Sequence, residues 1–258
     1  MIASKPTRIE YTLCPLCESS NFENFLKADC TNHPLYNKLL PEIIEWNKCL
    51  KCNHIFTSGY FNKEANDIIF SSINDNQKFS LNIDIKNLQY KRLIASETIQ
   101  RILPHKQHGT WLDVGFGDGV LLTTANEYGF KPIGIDIRLD TVSALKKIGV
   151  EAYALDISNT SIKGDCDVIS LMDVLEHLPY PKMALENISK LLKPGGILLI
   201  SMPNISSYIW HHMNKQNQNP YWGELEHYHN FSSERLYELL KQFNFKKVSY
   251  GISKRYLS

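Results

Sequence analysis

The sequence predicts an α/β chain, a parallel sheet covered by helices on both faces and preceded by a small cysteine-bearing module. Three observations carry this. From Gly109 onward, short apolar runs alternate with amphipathic stretches. A glycine-rich turn, Asp113-Val-Gly115-Phe-Gly117-Asp-Gly119, directly follows the first of those runs. Two Cys-x-x-Cys pairs, Cys14/Cys17 and Cys49/Cys52, lie near the start of the chain.

The elements follow in order. Asn87 to Leu103 places Leu88, Leu93, Ile94, Ile99 and Ile102 near helical spacing, and Pro104 stops the helix. Trp111–Gly115 is a buried strand, and Gly119–Tyr128 a helix. Pro132–Ile137 is a second strand, and Asp140 caps a helix that ends at Gly149. Glu151–Leu155 and Asp167–Met172 are further strands. Pro181–Leu192 is a helix closed by Lys-Pro-Gly-Gly, and Ile197–Ser201 a fifth strand. Ser233–Phe243 is a helix, and Phe245–Ile252 a sixth strand. Strands separated by helices must run parallel and be covered on both faces. The boundaries read as a cysteine module over 1–58, a helical linker over 59–108 and the α/β domain over 109–258.

Of 258 residues, 43% are apolar and 21% charged, enough for a real core. A formal net charge of +1 provides no global basic field to attract nucleic acid. No apolar run approaches the ~20 residues that span a bilayer, and the N-terminus has no continuous apolar core like that of a signal peptide. A cytoplasmic location is expected, in which the four paired cysteines are metal ligands rather than disulfides. Two residues between thiolates suit a knuckle, so Cys14, Cys17, Cys49 and Cys52 are the expected ligands of a tetrahedral, structural Zn²⁺. The alternatives are redox pairs or a disulfide. Cys30 and His54 are spare candidates, and Cys30 and Cys166 also read as small buried apolar residues.

The glycines let the backbone turn sharply and approach a ligand. Their spacing is GxGxG, with Val120 where a dinucleotide-binding loop would carry its third glycine. Asp136 ends the second strand, where a carboxylate can accept both hydroxyls of a ribose. Asp156-Ile157 follows the third strand, positioned to bond an adenine amino group and pack its ring. The strand over 167–172 ends at Asp173, facing the same crevice.

Taken in order, DVGFGDG, IGIDI, ALDI, DVISLMDVLEHLPYP and LLKPGGILLISMPN resemble the motifs of class I S-adenosylmethionine-dependent methyltransferases over residues 109–252. The resemblance implies a Rossmann-like sheet with S-adenosylmethionine as cofactor. By it, Asp113, Gly115 and Gly117 lie along the methionine part and Asp136 binds ribose. Asp156 and Ile157 hold adenine, Met172 and Asp173 border the methyl group, and Phe116 and Ile137 complete the cofactor set. With its N-terminal cysteines the chain is similar to zinc-bearing methyltransferases of sugars and small molecules, and to bacterial ribosomal-RNA guanine methyltransferases, whose metal site is more compact.

Two clusters compete for the chemistry. Asp173-Val-Leu-Glu176-His177 resembles a segment of the ubiquinone-pathway O-methyltransferases that has been associated with a metal. Glu224-Leu-Glu226-His227-Tyr-His229-Asn-Phe231 is similar to a segment of many small-molecule methyltransferases. A hydroxyl acceptor must lose a proton, which suits a histidine, so His227, or else His177, is the expected general base; a structural role is the alternative for each. Tyr208, Trp210, Tyr221, Trp222, Tyr228 and Phe231 wall an acceptor pocket or form ordinary core. The expected function is methyl transfer to a hydroxyl, or an amine, of a small-molecule or sugar-derived acceptor. The competing readings are a ribosomal-RNA methyltransferase with an RNA-recognising zinc ribbon, and a protein that binds zinc and S-adenosylmethionine without catalysis.

Overall fold

Strand and helix propensities sort the chain into two compact units. The computed structural model describes residues 8–76, 85–158 and 164–252. One unit draws on Met1–Ser80, Glu176–Lys182 and Pro203–Gln242; the other on Leu81–Leu175, Met183–Met202 and Phe243–Ser258. This division does not follow the linear boundaries 1–58, 59–108 and 109–258.

The first unit begins with β1 (Arg8–Glu10), β2 (Phe22–Asp29), β3 (Ile43–Cys49), β4 (Ile55–Thr57), β5 (Gly59–Phe61) and α1 (Lys63–Asn76). β1 pairs antiparallel with β5, and β2, β3 and β4 form an antiparallel meander. Trp46, Ile44 and Phe56 are fully buried on these strands, which accounts for the register.

The second unit opens with α2 (Ile85–Ile102), followed by β6 (Gly109–Val114), α3 (Val120–Glu127), β7 (Phe130–Asp136), α4 (Leu139–Lys147), β8 (Glu151–Ala154) and β9 (Cys166–Met172). It ends with α5 (Pro181–Leu191), whose first two residues belong to the other unit, and β10 (Leu192–Ser201). The five strands are parallel in the order β10-β9-β6-β7-β8. Trp111, Leu112, Asp113 and Val114 of β6 and Val168, Ile169, Ser170 and Leu171 of β9 are all buried, as strands covered on both faces require. Ala184, Leu185, Ile188 and Leu191 give α5 one buried stripe at helical spacing. The chain starts at the centre, runs outward through β7 and β8, and returns to the other side of β6 for β9. That reversal opens a crevice beyond the carboxyl ends of β6 and β9.

The sheet is the Rossmann-like α/β arrangement that the sequence predicts, with three local corrections. Asp140 does not cap α4; Arg138 is the N-cap residue and Asp140 sits in the first turn, where its charge complements the helix dipole. The Lys-Pro-Gly-Gly segment lies inside β10, where a register shift between Leu192 and Ile197 absorbs it. The expected sixth strand over 245–252 does not form: Val248, Tyr250 and Ile252 are exposed and the segment joins no ladder. Alternation alone gives no strand without a partner to accept its hydrogen bonds.

The rest of the chain returns to the first unit as α6 (Tyr208–Lys215), β11 (His229–Asn230) and α7 (Ser233–Lys241). The hydroxyls of Ser207 and Ser232 cap α6 and α7, accepting from the amides of Trp210 and Arg235. β11 pairs antiparallel with β4, His229 against Phe56 and Asn230 against Ile55, extending the meander to β11-β4-β3-β2. The Trp46 indole donates to the Trp222 carbonyl at 2.9 Å, and Tyr228 is buried in the same core. The segment from Glu224 to Phe231 thus completes the sheet of the cysteine module. No helix among the described residues is long and apolar enough to cross a membrane.

Candidate active site

The glycine-rich turn leaves β6 with Gly115 at φ 67°, Gly117 at φ 59° and Gly119, the N-cap of α3, at φ 74°. Two of these positions show why side chains are excluded. A Cβ on Gly115 would come within 2.6 Å of the Val174 side chain, whereas one on Gly117 would project into open space. The turn is therefore closed on the protein side at Gly115 and open at Gly117, as a loop presenting its backbone to a ligand must be. Phe116, between them, is buried. Its ring fills the place that a Cβ on Gly134 would take, 2.6 Å away, so its side chain is core and only its backbone can face a ligand.

Asp113 points into the sheet. The Trp111 indole donates to the Ser170 hydroxyl at 2.8 Å, and that hydroxyl donates to Asp113 Oδ1 at 2.6 Å. Asp113 and Ser170 are direct cross-strand partners. Burial pushes the Asp113 carboxyl up to about 7, against the opposing effect of the Ser170 hydrogen bond. Such a group holds more protons folded than unfolded between pH 3.8 and about 7. Its contribution to stability is complete below the lower value and lost as pH rises through the upper one. Asp113→Asn keeps the oxygen that Ser170 bonds and has no charge to bury. It is expected to be more stable than the parent at pH 8, by up to about 4 kcal/mol, and level with it near pH 4. Urea denaturation at the two pH values measures this; a difference independent of pH would refute the assignment.

Asp136 ends β7, its side chain 4% exposed. Its Oδ1 accepts from the backbone amide and Nε of Arg138, both at 3.0 Å, and its Oδ2 from Arg138 Nη2 at 2.9 Å and the Gly117 amide at 3.4 Å. Ile137 is 53% exposed beside it. After β8, Asp156 is exposed, its Oδ1 accepting from the Ser158 amide at 2.8 Å, while Ile157 is buried. After β9, half-buried Met172 leads to Asp173 at φ 56°. The Asp173 amide donates to the Ser201 carbonyl at 2.9 Å, and its Oδ1 accepts from the Ser201 hydroxyl at 3.3 Å. A left-handed non-glycine residue at a strand end is the kind of local strain that gathers at ligand sites. The loops after β6, β7, β8 and β9 thus carry the expected cofactor residues at the carboxyl edge of one sheet. The Arg138 fork on Asp136 had no signature beyond an arginine two positions on.

His177, His227 and the four expected metal ligands all belong to the other unit. The rings of His177 and His227 meet edge to face, centroids 4.7 Å apart, and Tyr221 stacks on His227 at 6.3 Å. His177 Nδ1 lies 3.0 Å from the Glu226 carbonyl oxygen. A carbonyl only accepts, so Nδ1 carries the proton and Nε2 of the neutral ring holds the lone pair. Glu176 is buried, its carbonyl accepting from the Tyr228 amide at 2.9 Å. Glu176, His177 and His227 offer donor atoms within 4.8 Å of one another, as do His33, Glu224 and Glu226. His33 Nε2 lies 2.7 Å from Glu224 Oε2, while its Nδ1 accepts from the Leu35 amide at 3.3 Å. That tautomer aims a proton, not a lone pair, at the carboxylates, and sets this second group apart from a metal site.

Cys14, Cys17, Cys49 and Cys52 converge, their sulfurs within 4.8 Å of one another. The two pairs form the same turn. The Glu18 amide donates to the Cys14 carbonyl and the Asn53 amide to the Cys49 carbonyl, each at 2.9 Å, and Glu18 and Asn53 are both left-handed. Sulfurs of different pairs lie 3.7 Å (Cys14–Cys52) and 3.5 Å (Cys17–Cys49) apart. The thiols are free, with no disulfide among them. Four sulfurs at about 2.3 Å from one Zn²⁺ would stand about 3.8 Å from each other, so the donor set and its spacing fit zinc. Cys30 and His54 stand apart from this group. The Cys30 thiol donates to the Pro41 and Glu42 carbonyls, and His54 Nε2 lies 3.1 Å from His229 Nδ1.

A family profile described as a methyltransferase domain matches residues 87–250, more than half of the sequence, and the chain belongs to this methyltransferase family. Among curated relatives, the ubiquinone biosynthesis O-methyltransferase of Nitrosococcus oceani is 33% identical over 45% of this chain and 49% of its own length. That of Bordetella avium is 30% identical over 47% and 54%. The chain therefore spans about half the length of the curated relatives it matches. Among solved structures, a SAM-dependent methyltransferase from Archaeoglobus fulgidus superposes with a TM-score of 0.51, 20% identity and coverage of 69% of this chain and 74% of that one. A SAM-dependent methyltransferase from Thermotoga maritima, described as a possible histamine N-methyltransferase, gives 0.50 and 19%, with coverage of 68% and 78%. At that identity the likeness establishes the fold.

Proposed function

We propose that this chain transfers a methyl group from S-adenosylmethionine to a hydroxyl, or an amine, of a small-molecule or sugar-derived acceptor. The observation that carries the reading is the carboxyl edge of the parallel sheet, where the open Gly117 turn, Asp136, Asp156 and Asp173 follow four strands. In this reading Asp136 accepts the ribose hydroxyls, and Asp156 and Ile157 hold adenine, with Ile137 beside them. The Gly115–Gly117 backbone, which includes Phe116, runs along the methionine part. Met172 and Asp173 border the methyl group, and buried Asp113 lies beneath the turn along the methionine part. Ubiquinone biosynthesis O-methyltransferases, similar over about half their length, support an oxygen acceptor. The cysteine set holds a structural Zn²⁺. The protein works in the cytoplasm on a free metabolite.

Methyl transfer needs alignment of acceptor, methyl and sulfur, and a place for the acceptor's proton. His227, or else His177, takes that proton; the two rings are in contact, and the carbonyl at His177 Nδ1 leaves Nε2 as its basic nitrogen. His227→Ala is expected to lower kcat about 10²–10⁴-fold with affinity for S-adenosylhomocysteine within twofold of the parent. Turnover of the variant at saturating cofactor, with His177→Ala alongside, is the test. Unchanged turnover in both would rule out a histidine base.

A further inference from the structure

The carboxylate best placed for the ribose is already occupied by the chain's own donors. A carboxylate offers about four lone-pair sites, and Asp136 fills them with two backbone amides and two guanidinium nitrogens. The two amides, of Gly117 and Arg138, belong to the turns that shape the cleft, and one falls on each oxygen. The remaining position on each oxygen is taken by Nε and by Nη2 of a single planar fork. Two parallel donors, one to each oxygen, are also what a vicinal diol presents. We propose that Arg138 is a latch on the cofactor site: its guanidinium stands in for the ribose diol while the cofactor is absent and is displaced by it on binding. This rests on the reading of Asp136 as the ribose acceptor.

The local structure suits a group built to leave. Arg138 is the N-cap residue of α4, so its charge lies at the positive end of that helix dipole, where a cation is disfavoured. Asp136 provides the chief compensation, with the carboxylates of Asp140 and Asp118 acting more weakly on the same guanidinium. Of these two, Asp118 is already paired with Lys91 at 2.6 Å, so Asp140, in the first turn of α4, is the anionic partner open to the released side chain. The Arg138 side chain is 12% exposed, so the contact that must break is largely shielded from solvent and keeps its strength in salt. The latch therefore sets how tightly the empty site competes with cofactor.

The test is titration calorimetry with S-adenosylhomocysteine, adenosine and 2′,3′-dideoxyadenosine on the parent, Arg138→Met and Arg138→Lys. Arg138→Met keeps the aliphatic stem and removes both donors. It is expected to bind S-adenosylhomocysteine and adenosine about tenfold more tightly, with affinity for the dideoxy nucleoside unchanged. Arg138→Lys, with one donor and no fork, is expected to fall between parent and Met, and carries the test if Arg138→Met does not fold. Equal or weaker binding of S-adenosylhomocysteine by both variants would overturn the latch. So would an equal gain for the dideoxy nucleoside, since the gain would not then arise at the ribose. Failure of parent and variants alike to bind S-adenosylhomocysteine would overturn the cofactor reading itself, and the latch with it.

Discussion

Cys49→Ser is expected to strip the protein of zinc and to cost the unit around it about 3–5 kcal/mol of stability. Cys49 is fully buried and ends β3, and its turn leads directly into β4. The Cys52 thiol is pushed well above its usual range by its hydrogen bond with Cys14 and by burial. A dication reverses that, so metal binding and folding of the two turns are one equilibrium. A serine leaves three thiolates and a poor ligand in a closed site. Because β11 pairs with β4, the loss should reach His227 as well, and turnover should fall further than stability alone accounts for. Affinity for S-adenosylhomocysteine, carried by the other unit, should persist. Cys166→Ser is the control: Cys166 opens β9, far in sequence from both pairs, and should keep the metal. Metal analysis and thermal melting of both variants decide it. A Cys49→Ser protein retaining one equivalent of zinc would show that the four cysteines are not its ligands.

The second large effect is expected at Asp136. Asp136→Asn preserves shape but exchanges one acceptor oxygen for a donor, so one ribose hydroxyl must accept where it donated, and the hydrogen bonds lose their charge. Bonds to a charged group contribute about 1.5–3 kcal/mol each, so affinity for S-adenosylhomocysteine should fall about 30- to 100-fold. The same change removes the chief counter-charge of the largely buried Arg138 side chain, so a lower melting temperature should accompany it. Calorimetry separates the two, because the loss of affinity should persist in an Asp136→Asn/Arg138→Met double variant while the stability loss shrinks. Undiminished affinity in Asp136→Asn would move the ribose elsewhere on the sheet edge.

Much of this architecture is legible in the sequence because it is local. Gly115, Gly117 and Gly119 announce a turn with three left-handed positions in seven residues, and the apolar runs on either side can only be buried strands. The cysteine turns are local for the same reason: two residues between thiolates fix each one. What escapes is pairing over distance. His229–Asn230 is too short to show alternation, and nothing near it indicates that it extends the sheet of β4. The segment over 245–252 errs in the opposite sense, with alternation and no ladder. Side-chain direction is the other blind spot. In the sequence Asp113 and Phe116 are simply members of the glycine motif; packing turns the first toward Ser170 and the second beneath Gly134. The fork of Arg138 on Asp136 likewise depends on a rotamer that composition and spacing do not encode.

The central claim is that the sheet edge delivers a methyl group to a small acceptor. The most direct measurement is incubation of the zinc-loaded protein with S-adenosylmethionine carrying a labelled methyl group, a panel of catechols, sugar alcohols and amines, and total RNA. The account predicts label in a small hydroxylated or amine acceptor and S-adenosylhomocysteine released in equal amount, both abolished in Asp136→Asn at low cofactor. Label confined to RNA, or tight cofactor binding with no S-adenosylhomocysteine released against any acceptor, would contradict it.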